Sequence, residues 1–251
     1  MTALPSRELA PAVALDPLAL YASAIDSSDY VARVAPLIRQ LVPDIGDLVD
    51  IGAGGGQLGA ALRRPGRKWT AIEPSPTMQG RLAALAHPPA VIPAGWDEPA
   101  VACEPADTVL AATMPGYFGD APRFHARCRQ WARRRIIWVV PAQQGPKGLI
   151  LAACLPREWH GEDETPGIER VLPQLGGDLP DRSDATDWTF SLVLSELGRF
   201  ATFQADRLGW APDDSRRPAL LAHLTKQAEP VPGGFRLSCH RRSAVLVWTL
   251  S

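Results

Sequence analysis

Apolar positions along this chain follow two spacings, and the two alternate. Leu18, Tyr21, Ala22 and Ile25 repeat at the interval of one helix face. Asp26-Ser27-Ser28-Asp29 then supplies capping residues, and Tyr30, Val34, Leu37, Ile38 and Leu41 predict a second helix. Pro36 falls inside it and should kink or interrupt it. After Pro43 and Gly46 the pattern changes to short apolar runs at residues 48–51, 69–72, 90–92, 106–112 and 136–140. Each run has the length of a buried strand, and helical spacing returns between most of them: Leu58 to Leu62, Met78 to Leu85 behind Pro76, and 122–132 with Phe124, Cys128 and Trp131. Beyond residue 142 the reading is looser. Residues 149–155 and 168–175 read as helical, 188–198 as a helix carried by Trp188, Leu192, Leu194 and Leu197, and 201–208 as a sixth strand. Residues 213–229 read as a helix with Leu220, Leu221 and Leu224 inward, and 235–239 and 243–248 as two strands. Residues 1–17, with Pro5, Pro11 and Pro17, predict a loose arm.

Strands alternating with helices predict an α/β fold with a parallel sheet, whose ligands sit at the carboxyl ends of the strands. The length of 251 residues suits one large domain or a domain with an insert. Hydrophobic content of 46% and charged content of 21% are ordinary for a globular chain, and a net charge of -1 gives no broad pull towards nucleic acid or anionic membrane. No apolar run approaches the ~20 residues of a membrane span. The start of the chain lacks the basic and apolar segments of a secretion signal, so a cytoplasmic protein is expected. Cys103, Cys128, Cys154 and Cys239 lie far apart and read as reduced thiols, with no metal site expected from them.

The stretch Leu48-Val49-Asp50-Ile51-Gly52-Ala53-Gly54-Gly55-Gly56-Gln57 carries the strongest chemical signal. A buried strand runs into a glycine turn where backbone can approach a ligand. A second strand ends at Glu73, where a carboxylate can accept from both hydroxyls of a ribose. A dinucleotide fingerprint would place a third glycine at position 57, which is Gln; the spacing is Gly52-x-Gly54-x-Gly56. This resembles the first motif of the class I S-adenosylmethionine-dependent methyltransferases, and the resemblance continues at Glu73-Pro74-Ser75 and at 106–112, covering residues 45–141. It implies a doubly wound, Rossmann-like α/β fold. The sheet would have seven strands, mainly parallel with an antiparallel last strand, and N-terminal helices would precede it. The implied cofactor is S-adenosyl-L-methionine. Gly52, Ala53, Gly54, Gly56 and Gln57 would line its methionine portion and Asp50 would orient its ammonium. Glu73, with Pro74 and Met78, would bind the ribose, and Gly95, Trp96 and Asp97 would surround the adenine, with Glu98 a second candidate acceptor. Ala112, Thr113 and Met114 would approach the reacting methyl group. Tyr21 and Tyr30 are candidate lid residues.

The loop from Thr113 to Asp120 does not read Asn-Pro-Pro-Tyr, the pattern of many enzymes that methylate amino groups on nucleic acid and protein, so a small-molecule acceptor is favoured over nucleic acid. If the acceptor needs a base, Tyr117 and His160 are the catalytic candidates, with His125 a further one. The segment Trp159-His160-Gly161-Glu162-Asp163-Glu164 reads either as a substrate loop or as an acidic cap. The arginines between 127 and 135 read as a solvated helix face and end. A nicotinamide oxidoreductase, disfavoured by Gln57, an aminopropyl transferase, lacking acids at 113–118, and a non-catalytic partner with the same fold are the rivals. The expectation is one domain, 1–251, with a helical cap at 1–44 and an insert at 142–187 over the substrate pocket. No membrane partner is expected, and a homodimer is compatible with the sequence.

Overall fold

Five parallel strands make the centre of the sheet, with the strand that enters the glycine turn in the middle. A computed structural model describes residues 15–114, 116–145 and 155–251. β1 (Leu48–Ile51) pairs in parallel with β2 (Trp69–Ile72) on one side and β4 (Ala106–Ala112) on the other. β2 pairs with β3 (Ala90–Ile92), and β4 with β5 (Ala132–Pro141), all parallel. β8 (Gly234–Thr249) runs antiparallel to β5 and to β6 (Arg182–Leu194), giving the order β3-β2-β1-β4-β5-β8-β6. The short β7 (Glu229–Val231) folds back on β8 and makes the eighth strand of the sheet.

Alternation along the strands sorts the core onto two faces. Leu48, Leu110, Ile137, Val139, Val245 and Val247 pack with α2 (Tyr30–Leu41), α3 (Gln57–Leu62) and α4 (Pro76–Ala83). Val49, Ile51, Val109, Ala111, Ile136, Trp138, Leu246 and Trp248 pack with α6 (Ala121–Trp131) and the segment around Val171 and Leu175. Covering both faces is what lets the central strands bury side chains on either side. Asp107 serves the opposite end of the sheet from the glycine turn. Its Oδ2 accepts from the amide of Asp47 at 2.9 Å, and the Thr108 hydroxyl donates to the Ile45 carbonyl at 2.6 Å, fixing the entry to β1.

β8 is one strand of 16 residues where two were expected, because residues 240–242 continue in register with β6. Its pairing with β5 stops at Ser243, while its pairing with β6 continues to Phe235. Residues 187–194 and 235–242 therefore form a ribbon that projects past β5 at the ligand end. Two expectations are corrected next to it. Residues 188–194 are strand, not helix: Trp188, Phe190, Leu192 and Leu194 are buried at period two, while Thr189 and Val193 face outward. Residues 201–208 belong to a helix, not a sixth strand: in α9 (Leu197–Arg207) the buried Leu197, Phe200, Ala201, Gln204 and Ala205 follow i, i+3, i+4, i+7, i+8. α10 (Arg216–Gln227) follows where a helix was expected, with Leu220 and Leu224 buried, but Leu221, also expected inward, is exposed.

α1 (Pro17–Ser27) and α2 lie against the ribbon. The Thr189 amide donates to Asp29 Oδ1 at 2.6 Å, the Ser191 amide to the Ser28 hydroxyl at 2.8 Å, and Tyr30 meets Trp188 edge-on at 4.8 Å. Pro36 stays inside a continuous α2. The link between β5 and β6 spans 142–181. Its later part forms α7 (Arg157–His160), α8 (Gly167–Val171) and a 3-10 turn (Leu172–Leu175). The expected helix at 149–155 lies outside the described residues except for its last position, as does most of the arm at 1–17.

Candidate functional site

The geometry of the turn after β1 follows from its glycines. Gly52, Gly54 and Gly56 have φ of 63°, 57° and 80°, a left-handed backbone that side chains with a Cβ resist. Gly52 and Gly54 face a cavity of about 640 Å³ at the carboxyl ends of β1, β2 and β4. That size is ordinary for a small-molecule or cofactor site. Gly56 does different work. It is absent from the lining and caps α3, and a Cβ there would come within 2.6 Å of Leu82 and 2.9 Å of Leu85. Its lack of a side chain lets α3 close on α4, and it is Gly55 that lines the cavity in its place.

Two buried acids stand at the centre. Glu73 Oε2 accepts from the Gly54 amide at 2.8 Å and Oε1 from the Ser75 amide at 2.9 Å, so the carboxylate is fixed in orientation. Each oxygen keeps lone-pair capacity for a further donor. Asp50 is 3% exposed, and loss of solvent, reinforced by the Glu73 charge, pushes its pKa up to about 7, with the Trp69 indole pulling the other way. Gly59 makes room for this arrangement, since a Cβ there would sit 2.3 Å from Asp50 Oδ2 and 2.6 Å from the Trp69 ring. The charged side chains in the cavity wall, among the described residues, are Asp50, Glu73 and Asp97, all acidic.

The wall also contains Ala53, Gln57, Pro74, Met78, Gly95, Trp96, Ala112, Thr113 and Met114. Sequence reasoning singled out every one of these. The roof comes from α1, where Leu18, Ala22 and Ile25 stand beside Tyr21, the lid candidate that sequence reasoning had named. Polar contacts from α3 and α4 hold α1 down. The Gln57 amide donates to Asp26 Oδ1 at 2.7 Å, Arg81 pairs with Asp26, and the Thr77 hydroxyl donates to Asp16 at 3.0 Å. Tyr21 and Tyr30 both face the Thr113 side chain, and the buried Tyr30 hydroxyl makes no hydrogen bond. Burial raises the pKa of both phenols, which therefore stay protonated. Thr113, with φ of 54°, has an unfavourable left-handed backbone just where β4 opens into the cavity.

The two histidines expected as bases lie elsewhere. His160 is not among the lining residues: its Nδ1 accepts from the Glu162 amide at 3.0 Å and its Nε2 stands 3.4 Å from Glu164, so the cluster folds on itself. His125 is buried between Trp138 and Trp248, with Nδ1 3.0 Å from Asp178, on the other face of the sheet. Tyr117 belongs to α5 (Gly116–Gly119), whose Gly119 lines the cavity; the Tyr117 side chain lies outside the description.

No family model and no curated protein matches the sequence. Solved structures do match. A protein of Anaeromyxobacter dehalogenans provisionally assigned as a type II methyltransferase is 20% identical, with 86% of this chain and 94% of that one covered and a TM-score of 0.53. A provisionally assigned methyltransferase of Bacillus halodurans is 12% identical, with 86% and 97% covered and a TM-score of 0.50. The likeness is one of fold: a doubly wound, mainly parallel sheet closed by antiparallel strands, as the sequence predicted.

Proposed function

We propose that this chain transfers a methyl group from S-adenosyl-L-methionine to a small-molecule acceptor. The observation that carries the reading is the Glu73 carboxylate, held by the amides of Gly54 and Ser75 at the cavity wall with acceptor capacity to spare. A ribose presents two adjacent hydroxyl donors, and a fixed carboxylate suits both. Asp50 supports the same reading. It is a buried acid facing a cavity with no cation among the described lining residues, so it suits the ammonium of a bound amino acid. Trp96 and Asp97 at the other end would receive the purine.

When bound, such a cofactor supplies an electrophilic methyl group and a neutral leaving group. The residues of this chain then have three tasks. Gly52 to Gly55 and Glu73 fix the cofactor, Thr113 and Met114 border the acceptor, and α1 keeps water out. An acid-lined wall also disfavours a phosphate-bearing acceptor, which agrees with a small molecule over nucleic acid. Among the described residues no helix is long and apolar enough to cross a membrane.

Titration calorimetry with S-adenosylhomocysteine tests the reading. Wild type should bind, and Glu73→Ala should bind about 1–3 kcal/mol more weakly, the range for hydrogen bonds to a charged group. Equal affinity in the two proteins would remove Glu73 from the ribose site, and no binding by wild type would sink the function.

A further inference from the structure

One arginine of the α6 cluster is not a solvated surface charge. The Arg127 guanidinium donates from Nε to the Trp96 carbonyl at 3.2 Å and from Nη2 to the carbonyls of Glu98 and Val101 at 3.1 and 3.0 Å. Nη1 donates to Gln130 at 3.0 Å, and the group lies 4.5 Å from the centre of the Trp131 ring. A planar fork with five N–H donors is suited to gather three carbonyls of a bent loop in one fixed geometry. The loop it gathers carries Trp96 and Asp97 into the cavity wall.

The neighbouring residues on α6 hold the same loop from its ring side. Phe124 meets Trp96 edge-on at 4.8 Å, and Arg123 lies 5.6 Å from the Trp96 ring centre. Within the loop the Gly95 amide donates to Glu98 Oε1 at 2.6 Å. Asp97 is itself exposed, so its carboxylate is aimed only as well as its backbone is fixed. By contrast Arg129 and Arg134 pair with acids at the surface, at 3.0 Å from Asp178 and 3.3 Å from Asp44.

We propose that Arg127 is the positioning residue for purine selectivity: by fixing the carbonyls of Trp96, Glu98 and Val101 it holds Asp97 where it accepts from the exocyclic amine of adenine. The proposal rests on the cofactor reading above. Hypoxanthine carries an oxygen in place of that amine, and an acceptor facing a carboxylate is repelled. Selectivity between the two bases thus reports on the aim of Asp97, whereas general loosening of the loop would weaken both ligands alike.

The test uses the full chain and two probes, S-adenosylhomocysteine and its hypoxanthine analogue. Wild type is expected to prefer the adenine compound at least tenfold, and Asp97→Asn should reduce that preference to within about threefold. Arg127→Ala should do the same although it leaves Asp97 in place, and it should weaken the adenine compound about tenfold. Arg127→Lys, which keeps the charge without the fork, should fall between. Thermal unfolding of each variant checks folding, and Arg127→Lys carries the test if Arg127→Ala does not fold. Folded Arg127 variants that keep the wild-type preference within twofold would overturn the proposal, as would a wild type that binds both probes equally. A wild type that binds neither ends both the cofactor reading and this one; binding with unchanged selectivity ends only this one.

Discussion

At the residue scale the cavity concentrates negative charge in a place with little solvent. Asp50 is held near neutrality by burial and by Glu73, so its proton is shared about equally between protein and solvent at pH 7. A cation seated beside it would pull the pKa down, and the carboxyl would then give up its proton. Binding of S-adenosylhomocysteine, which carries an ammonium, should therefore release protons near pH 7. Calorimetry in two buffers of different ionisation enthalpy measures that release directly. Asp50→Asn should show none of it and should bind more weakly; proton release that survives the substitution would place the titrating group elsewhere. The glycines divide in a similar way. Gly56→Ala forces a Cβ against Leu82 and Leu85 at φ of 80°, and it should cost about 1–3 kcal/mol of stability in urea unfolding. The same change at Gly54 carries the strain of φ 57° but no clash, since a Cβ there meets no protein atom within 4 Å, so it should cost less stability than Gly56→Ala and should also lower ligand affinity.

At the element scale the roof is the unusual part. α1 rests on the cavity through apolar lining residues, and much of what holds it is polar and exposed: Asp26 with Gln57 and Arg81, and Asp16 with Thr77. Exposed pairs of this kind contribute at most about 1 kcal/mol each. A ligand beneath α1 replaces cavity with packed atoms, so S-adenosylhomocysteine should slow amide exchange across residues 17–27 by at least tenfold. Asp26→Ala should speed exchange in the free protein without altering the sheet; equal exchange with and without ligand would mean that α1 is not a roof. The sequence announced α1, α2 and the first five strands because each carries one clean spacing or a short continuous apolar run. Glu73 and the glycine turn were legible because their spacing along the chain matches a strand-to-strand distance. Residues 188–208 were misread because Trp188, Leu192 and Leu194 fit both a coarse helical spacing and a strand, and Ala201 to Ala205 alternate by accident within a helix. Pairing with β8 decides the first case and packing of Phe200 decides the second, and neither is local. The role of Arg127 was hidden for the same reason: its three carbonyl partners lie 26 to 31 positions away.

At the scale of the whole molecule, two buried groups on opposite faces of the sheet oppose each other as pH changes. Burial lowers the pKa of His125 below its ordinary 6.5, against the pull of Asp178, so the unfolded chain takes up a proton there before the folded one does. His125 therefore contributes stability above pH 6.5 that is lost as pH falls through its folded pKa. Asp50 has the reverse sign. Its folded pKa of about 7 lies above the ordinary 3.8, so its contribution is complete below pH 3.8 and is lost as pH rises through 7. Each group changes stability by at most about 1.4 kcal/mol per pH unit. Just below pH 6.5 the two slopes have opposite sign, so the ligand-free protein should show little net dependence from this pair. Asp50→Asn should uncover a stability that rises with pH up to 6.5, and His125→Gln one that falls with pH up to 7. Urea unfolding at half-unit pH steps from 5 to 8 reads both slopes. Identical profiles for wild type and both variants would mean that neither group titrates on folding. A double variant with no residual slope from this pair would confirm that the opposition lies between these two residues, one in the cavity and one in the tryptophan cluster behind it.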